Sequence, residues 1–437
     1  MKDKKEIIET IESSKILKSI KDIKNKKEQK IIHTFGAAGT GKSTLVERIR
    51  ELNINTALLA PTGIAALNIG GQTIHSFFQF DFSPSPKIKK KLDSSLIEKL
   101  DLLIIDEVSM VNASIMDSID KALRKTRRSN NPFGGVSMML VGDLFQLEPV
   151  VKESAQSFFY DNYQGTFFFY ANVMERIIPE IYILKHQFRQ KIDSNYATLL
   201  ENIRRGTNLI DTLNILNENC LSRKSEHETK MTLTGSNQNA DEKNSERLKR
   251  LKTPSKIYEA TLTGTFKYKK DKEESLPAPL ALELKKGAQV RMTKNNKSFW
   301  ANGSIGKVLN LFDDHLEIEI DKNIYKVYRD TWKIINYTWD KKEKKIKEEI
   351  KGEFLQFPVR LGWASTIHKA QGLTLDSCTI DLERAFCHGQ SYVALSRCTS
   401  LEGLNFLQPI TEADIIINPD VNYFYQECVE ALNKKTA

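Results

Sequence analysis

Eight residues, Gly36-Ala37-Ala38-Gly39-Thr40-Gly41-Lys42-Ser43, constrain this chain more than any other stretch. They meet every position of the pattern G-x-x-x-x-G-K-[ST]. The apolar run Ile31-Ile32-His33-Thr34-Phe35 precedes them and reads as a buried strand, and Leu45-Val46-Glu47-Arg48-Ile49-Arg50 follows as the opening of a helix. Glycines let the backbone curl until its N–H groups face phosphate oxygens, and the helix N-terminus adds partial positive charge there. In this frame Gly36, Gly39, Thr40, Gly41, Lys42, Ser43 and Thr44 bind a nucleoside triphosphate. Lys42 reaches the β- and γ-phosphates, and the Ser43 hydroxyl holds Mg²⁺. A glycine-rich turn matching by chance is the alternative, and both flanks argue against it.

The chain has 437 residues, room for two to four domains at ~100–200 residues each. Its hydrophobic content of 40% and charged content of 28% are those of a globular protein. No run of about 18 apolar residues occurs, so no membrane-spanning helix and no membrane partner is expected. Residues 1–30 are lysine-rich and interspersed with acids, with no apolar signal core and no arginine, so neither export nor transit fits. Cys220, Cys378, Cys387, Cys398 and Cys428 form no C-x-x-C pair and are odd in number. A reduced intracellular protein is expected. The net charge of +9 suggests a polyanionic partner, a lysine-rich solvated surface being the alternative.

Along residues 31–150 short apolar runs alternate with amphipathic stretches. Ile31–Phe35, Thr56–Ala60, Leu102–Ile105 and Ser137–Val141 read as buried strands, which implies a parallel α/β sheet with ligands beyond the carboxyl ends of its strands. The aromatic segment Phe77–Phe82, the turn Ser83-Pro84-Ser85-Pro86 and the basic run from Lys87 to Lys91 read as a small inserted hairpin or loop. Residues 206–256 are helical in composition, and 266–280 read as an exposed loop. From Gly287 to about Phe357 short β segments dominate, reading as a small barrel within a second α/β domain, with the charged run Asp340–Lys351 as a hairpin tip or loop. The α/β pattern returns at Arg360–Thr366 and Cys378–Leu382.

A second chemical motif is Leu102-Leu103-Ile104-Ile105-Asp106-Glu107, an apolar strand ending in two carboxylates. Asp106 binds the metal, and Glu107 orients or deprotonates the attacking water. In Gly142-Asp143-Leu144-Phe145-Gln146 the Gln146 amide can sense the γ-phosphate. Arg189 and Arg397 are candidates to stabilise charge in a phosphoryl-transfer transition state. A surface ion pair is the alternative for either arginine.

Together with Ala60-Pro61-Thr62-Gly63-Ile64-Ala65-Ala66, Phe188-Arg189-Gln190, Thr366-Ile367-His368-Lys369-Ala370-Gln371-Gly372 and Ala394-Leu395-Ser396-Arg397, these motifs resemble superfamily 1 helicases of the 5′-to-3′, RecD-like branch. The stretch from Asp117 through Arg124, Arg127 and Pro132-Phe133-Gly134-Gly135 resembles the signature of the petite-integration-frequency (PIF-type) DNA helicase family. The resemblance spans about residues 31–405.

It implies an α/β fold of two RecA-like parallel-sheet domains. The first covers 31–180, with a hairpin insertion at about 77–93. The second covers 181–295 and 358–437, with an SH3-like β-barrel inserted at 296–357. A helical segment at 1–30 precedes both. It further implies an ATP- and Mg²⁺-dependent monomer that unwinds duplex or forked DNA while moving along single strands, in DNA repair, recombination, replication and telomere maintenance. Pro61, Thr62, Gly63, His75 and Phe77 would line the strand path in the first domain, and Thr366, His368, Lys369 and Gln371 in the second. Core packing is the alternative for His75 and Phe77, a structural hydrogen bond for His368, and a buried position for Trp300 and Trp363 as base platforms. The family's adenine-reading glutamine has no clear match, because Gln29 stands too close to the strand before the phosphate loop. An RNA helicase, a nucleic-acid-binding module with an inactive ATPase core and a translocase that opens no duplex remain open.

Overall fold

The structure is a computed structural model, and it describes residues 10–26, 28–89, 92–188, 194–221, 231–265, 276–296 and 299–436. Arg189 and Gln190, the segment 266–275 of the expected loop, and residues 1–9 lie outside the described residues. The chain divides into two compact units.

The first unit comprises Met1–Phe188, Ile334–Lys351 and Asn418–Ala437. Its centre is a six-stranded sheet of β1 (Ile31–Gly36), β2 (Thr56–Ala60), β3 (Gln72–Thr73), β4 (Leu102–Ile105), β5 (Ser137–Gly142) and β6 (Glu180–Leu184). The order is β3-β2-β4-β5-β1-β6, and every pairing is parallel. All residues of β1, β4 and β5 are buried, as expected for a parallel sheet covered on both faces. The helix Ile11–Lys26 covers one face. Its Ile16, Ile20 and Ile23 recur at helical spacing and join Ile32, Leu45, Leu58, Ile104 and Val141 in one core. The helix Ala113–Arg127 buries Met116, Ile119, Ala122 and Leu123. The expected insertion near 77–93 is a loop closed by one antiparallel bridge between Phe80 and Ile88.

The second unit comprises Arg189–Lys333 and Gly352–Ile417. Its strands begin with β7 (Thr232–Thr234), β8 (Ser255–Glu259), β9 (Thr261–Gly264) and β10 (Ala281–Lys285). There follow β11 (Gln289–Met292), β12 (Ile305–Leu311), β13 (His315–Ile320), β14 (Asn323–Tyr328), β15 (Asp330–Asp340), β16 (Lys345–Gln356) and β17 (Val359–Leu361). The last are β18 (Ala364–Thr366), β19 (Cys378–Asp381) and β20 (Leu404–Phe406). A parallel sheet runs β18-β7-β19-β20, and an antiparallel sheet runs β14-β13-β12-β11-β17. The alternation of buried and partly exposed residues along β13 places Leu316, Ile318 and Ile320 in a core with Val290, Met292, Val308 and Phe357. The span 206–256 holds the strand β7 between the helices Leu209–Cys220 and Asn237–Arg250, a short buried run that polar surroundings hid in the composition.

β15 and β16 form the hairpin expected near Asp340–Lys351, and its far half is part of the first unit. There the Tyr337 hydroxyl accepts from the Leu58 N–H at 3.1 Å, Asn336 accepts from Gln72 at 3.0 Å, and Asn55 accepts from the Ile346 N–H at 3.1 Å. No helix among the described residues is long and apolar enough to cross a membrane.

Candidate nucleotide and nucleic-acid site

In the first unit, β4, β5 and β1 are neighbours, and each ends in a chemical motif. β1 runs into the glycine loop. Gly39 (φ 84°) and Gly41 (φ 86°) take left-handed conformations that only glycine adopts without strain. The Thr40 hydroxyl donates to the Ala37 carbonyl at 2.9 Å, tightening the loop, and the helix Lys42–Arg50 starts at once. The Lys42 ammonium donates to the Gly36 and Ala37 carbonyls at 2.7 and 2.9 Å, which holds it over the curl of the loop. Ser43 and Thr44 follow in the first helical turn.

β4 delivers Asp106 and Glu107. Asp106 is only 7% exposed. Burial raises its carboxyl above the ordinary carboxylate range, partly offset by the Glu107 N–H and the Lys42 charge. A buried carboxylate beside an exposed hydroxyl-bearing helix start suits a hard divalent cation such as Mg²⁺, which takes few protein ligands and completes its shell with phosphate and water. Among the described residues no cluster of three or more His, Cys, Asp or Glu could hold a metal by itself. Glu107 has φ 51°, a left-handed backbone unusual outside glycine, of the kind held at functional sites by surrounding structure.

β5 delivers Asp143 and Gln146, both buried. Asp143 organises the loop: its carboxylate accepts from the Phe145 N–H at 3.3 Å and from the Gln146 amide at 3.4 Å. The Phe145 ring meets Tyr425 edge-on at 5.3 Å. The Phe188 N–H donates to the Gly39 carbonyl at 3.0 Å, fastening the chain just before Arg189 to the glycine loop. Sequence reasoning attached no role to Asp143, Phe188 or Tyr425, because their parts rest on contacts between distant segments.

The signature stretch proves to be scaffolding. The Asp120 carboxylate accepts from the Phe133 N–H and from Arg124, both at 2.7 Å. Arg127 donates to the Leu100 carbonyl at 2.9 Å, and Asp117 accepts from the Asn172 and Val173 N–H groups at 3.1 and 2.9 Å. A Cβ on Gly134 (φ 63°) would lie 2.7 Å from the Leu123 carbonyl oxygen. The Gln29 amide donates to the Pro132 and Val136 carbonyls at 2.7 and 3.0 Å, so it anchors this loop.

Of the residues assigned to a DNA path, Pro61, Thr62 and Gly63 follow β2, where Thr62 caps the helix Gly63–Ile69 by accepting from the Ala65 N–H at 3.2 Å. His75 stacks on exposed Phe82 at 4.8 Å. Phe77 is 8% exposed and packs edge-on against Phe78 and Tyr337. In the second unit Thr366 ends β18 and accepts from the Lys369 N–H at 3.3 Å. His368 lies parallel to the exposed Phe386 ring at 6.3 Å, and burial lowers its pKa. Lys369 and Gln371 are partly exposed in the same turn. Trp300 and Trp363 are partly buried and pack against the core beneath the antiparallel sheet. Arg397 is 1% exposed: its guanidinium donates to the Val393 carbonyl at 2.8 Å, the Leu373 carbonyl at 3.4 Å and the Ser396 hydroxyl at 2.7 Å.

A protein of Bdellovibrio bacteriovorus called ATP-dependent DNA helicase Pif1 is 30% identical over 90% of this chain and 87% of its own length. The chain belongs to the PIF1-like helicase family. The PIF1-like helicase family model itself matches residues 9–215. ATP-dependent DNA helicase PIF1 of Emericella nidulans is 32% identical over 93% of this chain, which spans 62% of that longer relative. Pif1 from a Bacteroides species, solved in complex with ADP-AlF4, superposes with a TM-score of 0.87 at 35% identity, covering 97% of both chains. The α/β fold class expected from the sequence is therefore that of solved PIF1-like helicases.

Proposed function

We propose that this chain is an ATP-dependent DNA helicase that moves 5′-to-3′ on single-stranded DNA and separates duplex or forked DNA as it goes. The observation that carries it is the meeting of the glycine loop, Asp106-Glu107 and Gln146 at the ends of three adjacent parallel strands. The relatives' names, and the ADP-AlF4 bound by the Bacteroides protein, support ATP and DNA as its substrates.

The glycine loop and Lys42 hold the β- and γ-phosphates, with Gly36, Gly39, Thr40, Gly41 and Thr44 forming the cradle. Ser43 and Asp106 hold Mg²⁺, which when bound neutralises charge on the phosphate oxygens. Glu107 orients the attacking water and takes its proton. Gln146 donates to the γ-phosphate and loses that contact on cleavage. Arg189 and Arg397, supplied by the second unit, stabilise the transition state, so turnover requires the two units to close on the nucleotide. Closure and reopening exchange grips on the strand, held by Pro61, Thr62, Gly63 and His75 in one unit and Thr366, His368, Lys369 and Gln371 in the other. Phe77, next to that path in sequence, packs edge-on against Phe78 and Tyr337. Phosphate contacts position the strand, and aromatic faces add ~1–3 kcal/mol per stacked base. One polypeptide carries every part, so a monomer in the cytoplasm or nucleus suffices.

Strand displacement on duplexes with a 5′ or a 3′ overhang tests the direction. Displacement from the 5′ overhang alone is expected, and displacement from the 3′ overhang alone reverses the assignment. DNA-stimulated hydrolysis without displacement would make the chain a translocase.

A further inference from the structure

Away from the motifs, the first unit contains a cavity of about 820 Å³, within the range of about 300–1,000 Å³ common for small-ligand pockets. It lies among β1, β6, the end of the helix Glu153–Asn162, the turns around Tyr170 and Glu175, and the helix Pro419–Thr436. Its walls are aromatic: Tyr163, Phe169, Tyr170, Tyr423 and Phe424. Asp161, Glu175, Asp420 and Glu427 also line it, without a single lysine or arginine. The chain as a whole carries 65 Lys and Arg and a net charge of +9, so this lining runs against the charge of the molecule.

The floor is His33, 1% exposed. Neither of its ring nitrogens has a hydrogen-bond partner among the described residues. Phe35, Phe168 and Phe424 surround the ring at 5.5, 6.3 and 6.5 Å. Burial lowers its pKa to about 3, so at neutral pH one ring nitrogen is an acceptor and repels no cation. A buried polar group without a partner is costly, and such groups are normally satisfied by protein, water or ligand. Nothing in the helicase motifs uses this histidine.

We propose that this cavity binds an organic cation, a primary ammonium or guanidinium group on a short aliphatic stem. Carboxylates at the rim attract it, aromatic faces receive the charge and the stem, and the His33 ring nitrogen accepts an N–H at the floor. An anion meets four carboxylates, and a purely apolar guest leaves His33 unpaired. The same chemistry comes from a free polyamine or from a lysine or arginine side chain of a protein segment.

Calorimetric titration of the full chain without DNA tests this with three probes: spermidine, a capped Phe-Lys peptide and its Phe-norleucine counterpart. Saturable one-to-one binding of spermidine or the lysine peptide is expected, with none for norleucine, and the tighter of the two cations identifies the source. The double substitution Asp420→Asn with Glu427→Gln weakens binding about tenfold or more. His33→Phe weakens it as well while the melting temperature holds or rises. Should the double variant fold poorly, Glu175→Gln at the exposed rim replaces it. The site is refuted if neither cation saturates, if affinity is unchanged in the folded variants, or if crystals grown with the tighter cation show only water on His33.

Discussion

Two glycine loops of the first unit differ in what they do with their polar groups. In Gly36–Ser43 the left-handed glycines open the backbone, and the helix behind it starts without a side-chain cap. In Asn131–Val136 the left-handed Phe133 and Gly134 fold the backbone inward, where Asp120 and Gln29 bind it. Both are family motifs. The first, with Thr40 and Lys42 bonded back onto it, is the loop proposed to receive phosphates, whereas the second is tied into the fold by Asp120 and Gln29, so a motif's specificity for a family says nothing by itself about which of the two it does.

That contrast predicts opposite phenotypes. Lys42→Ala has the largest expected effect: ATP turnover and unwinding fall by ~10³ or more with an unchanged melting temperature, measured by phosphate release and thermal unfolding. Arg397 could break the contrast, because a motif residue assigned to chemistry is 1% exposed and bonded to Val393, Leu373 and Ser396. Arg397→Ala is expected to cut DNA-stimulated turnover ~10³-fold with nucleotide affinity nearly intact. A loss that merely follows the folded fraction would group Arg397 with the scaffold.

Asp120→Ala sharpens the contrast from the other side. It strips the buried Phe133 N–H and Arg124 of their acceptor, so about 2–4 kcal/mol of stability is lost, while turnover per folded molecule stays at the parent value. Urea unfolding beside active-fraction assays checks it. Over the range from pH 7 to pH 5, His33 gives the smallest effect. Its folded pKa, about 3, lies below the ordinary 6.5, so the unfolded chain takes up a proton that the folded chain refuses. Its contribution is complete above pH 6.5 and declines as pH falls toward 3, by up to ~1.4 kcal/mol per pH unit. Urea midpoints between pH 7 and 5 are expected to fall in the parent and to flatten in His33→Phe.

Much of the first unit was legible. The runs Thr56–Ala60 and Leu102–Ile105 are strands with the expected ends, because a buried parallel strand needs an unbroken apolar run bounded by polar turns. The stripe Ile16, Ile20, Ile23 stands at helical spacing within a lysine-rich stretch, and its place in the core comes from packing against the sheet. Phe77 shows the limit: an aromatic residue in a motif looks alike whether it faces a base or a core, and only packing against Phe78 and Tyr337 separates the two.

Local periodicity and motif spacing, which depend on neighbours in the chain, determined the α/β class, the phosphate loop and the carboxylate pair. Tertiary structure decided the strand order that brings β1, β5 and β4 side by side. It also decided that Ile334–Lys351 and Asn418–Ala437 belong to the first unit, and that His33 lies beneath an aromatic, acid-rimmed cavity. Those outcomes depend on which distant surfaces bury one another, a balance of desolvation against loop-closure entropy that no local window contains.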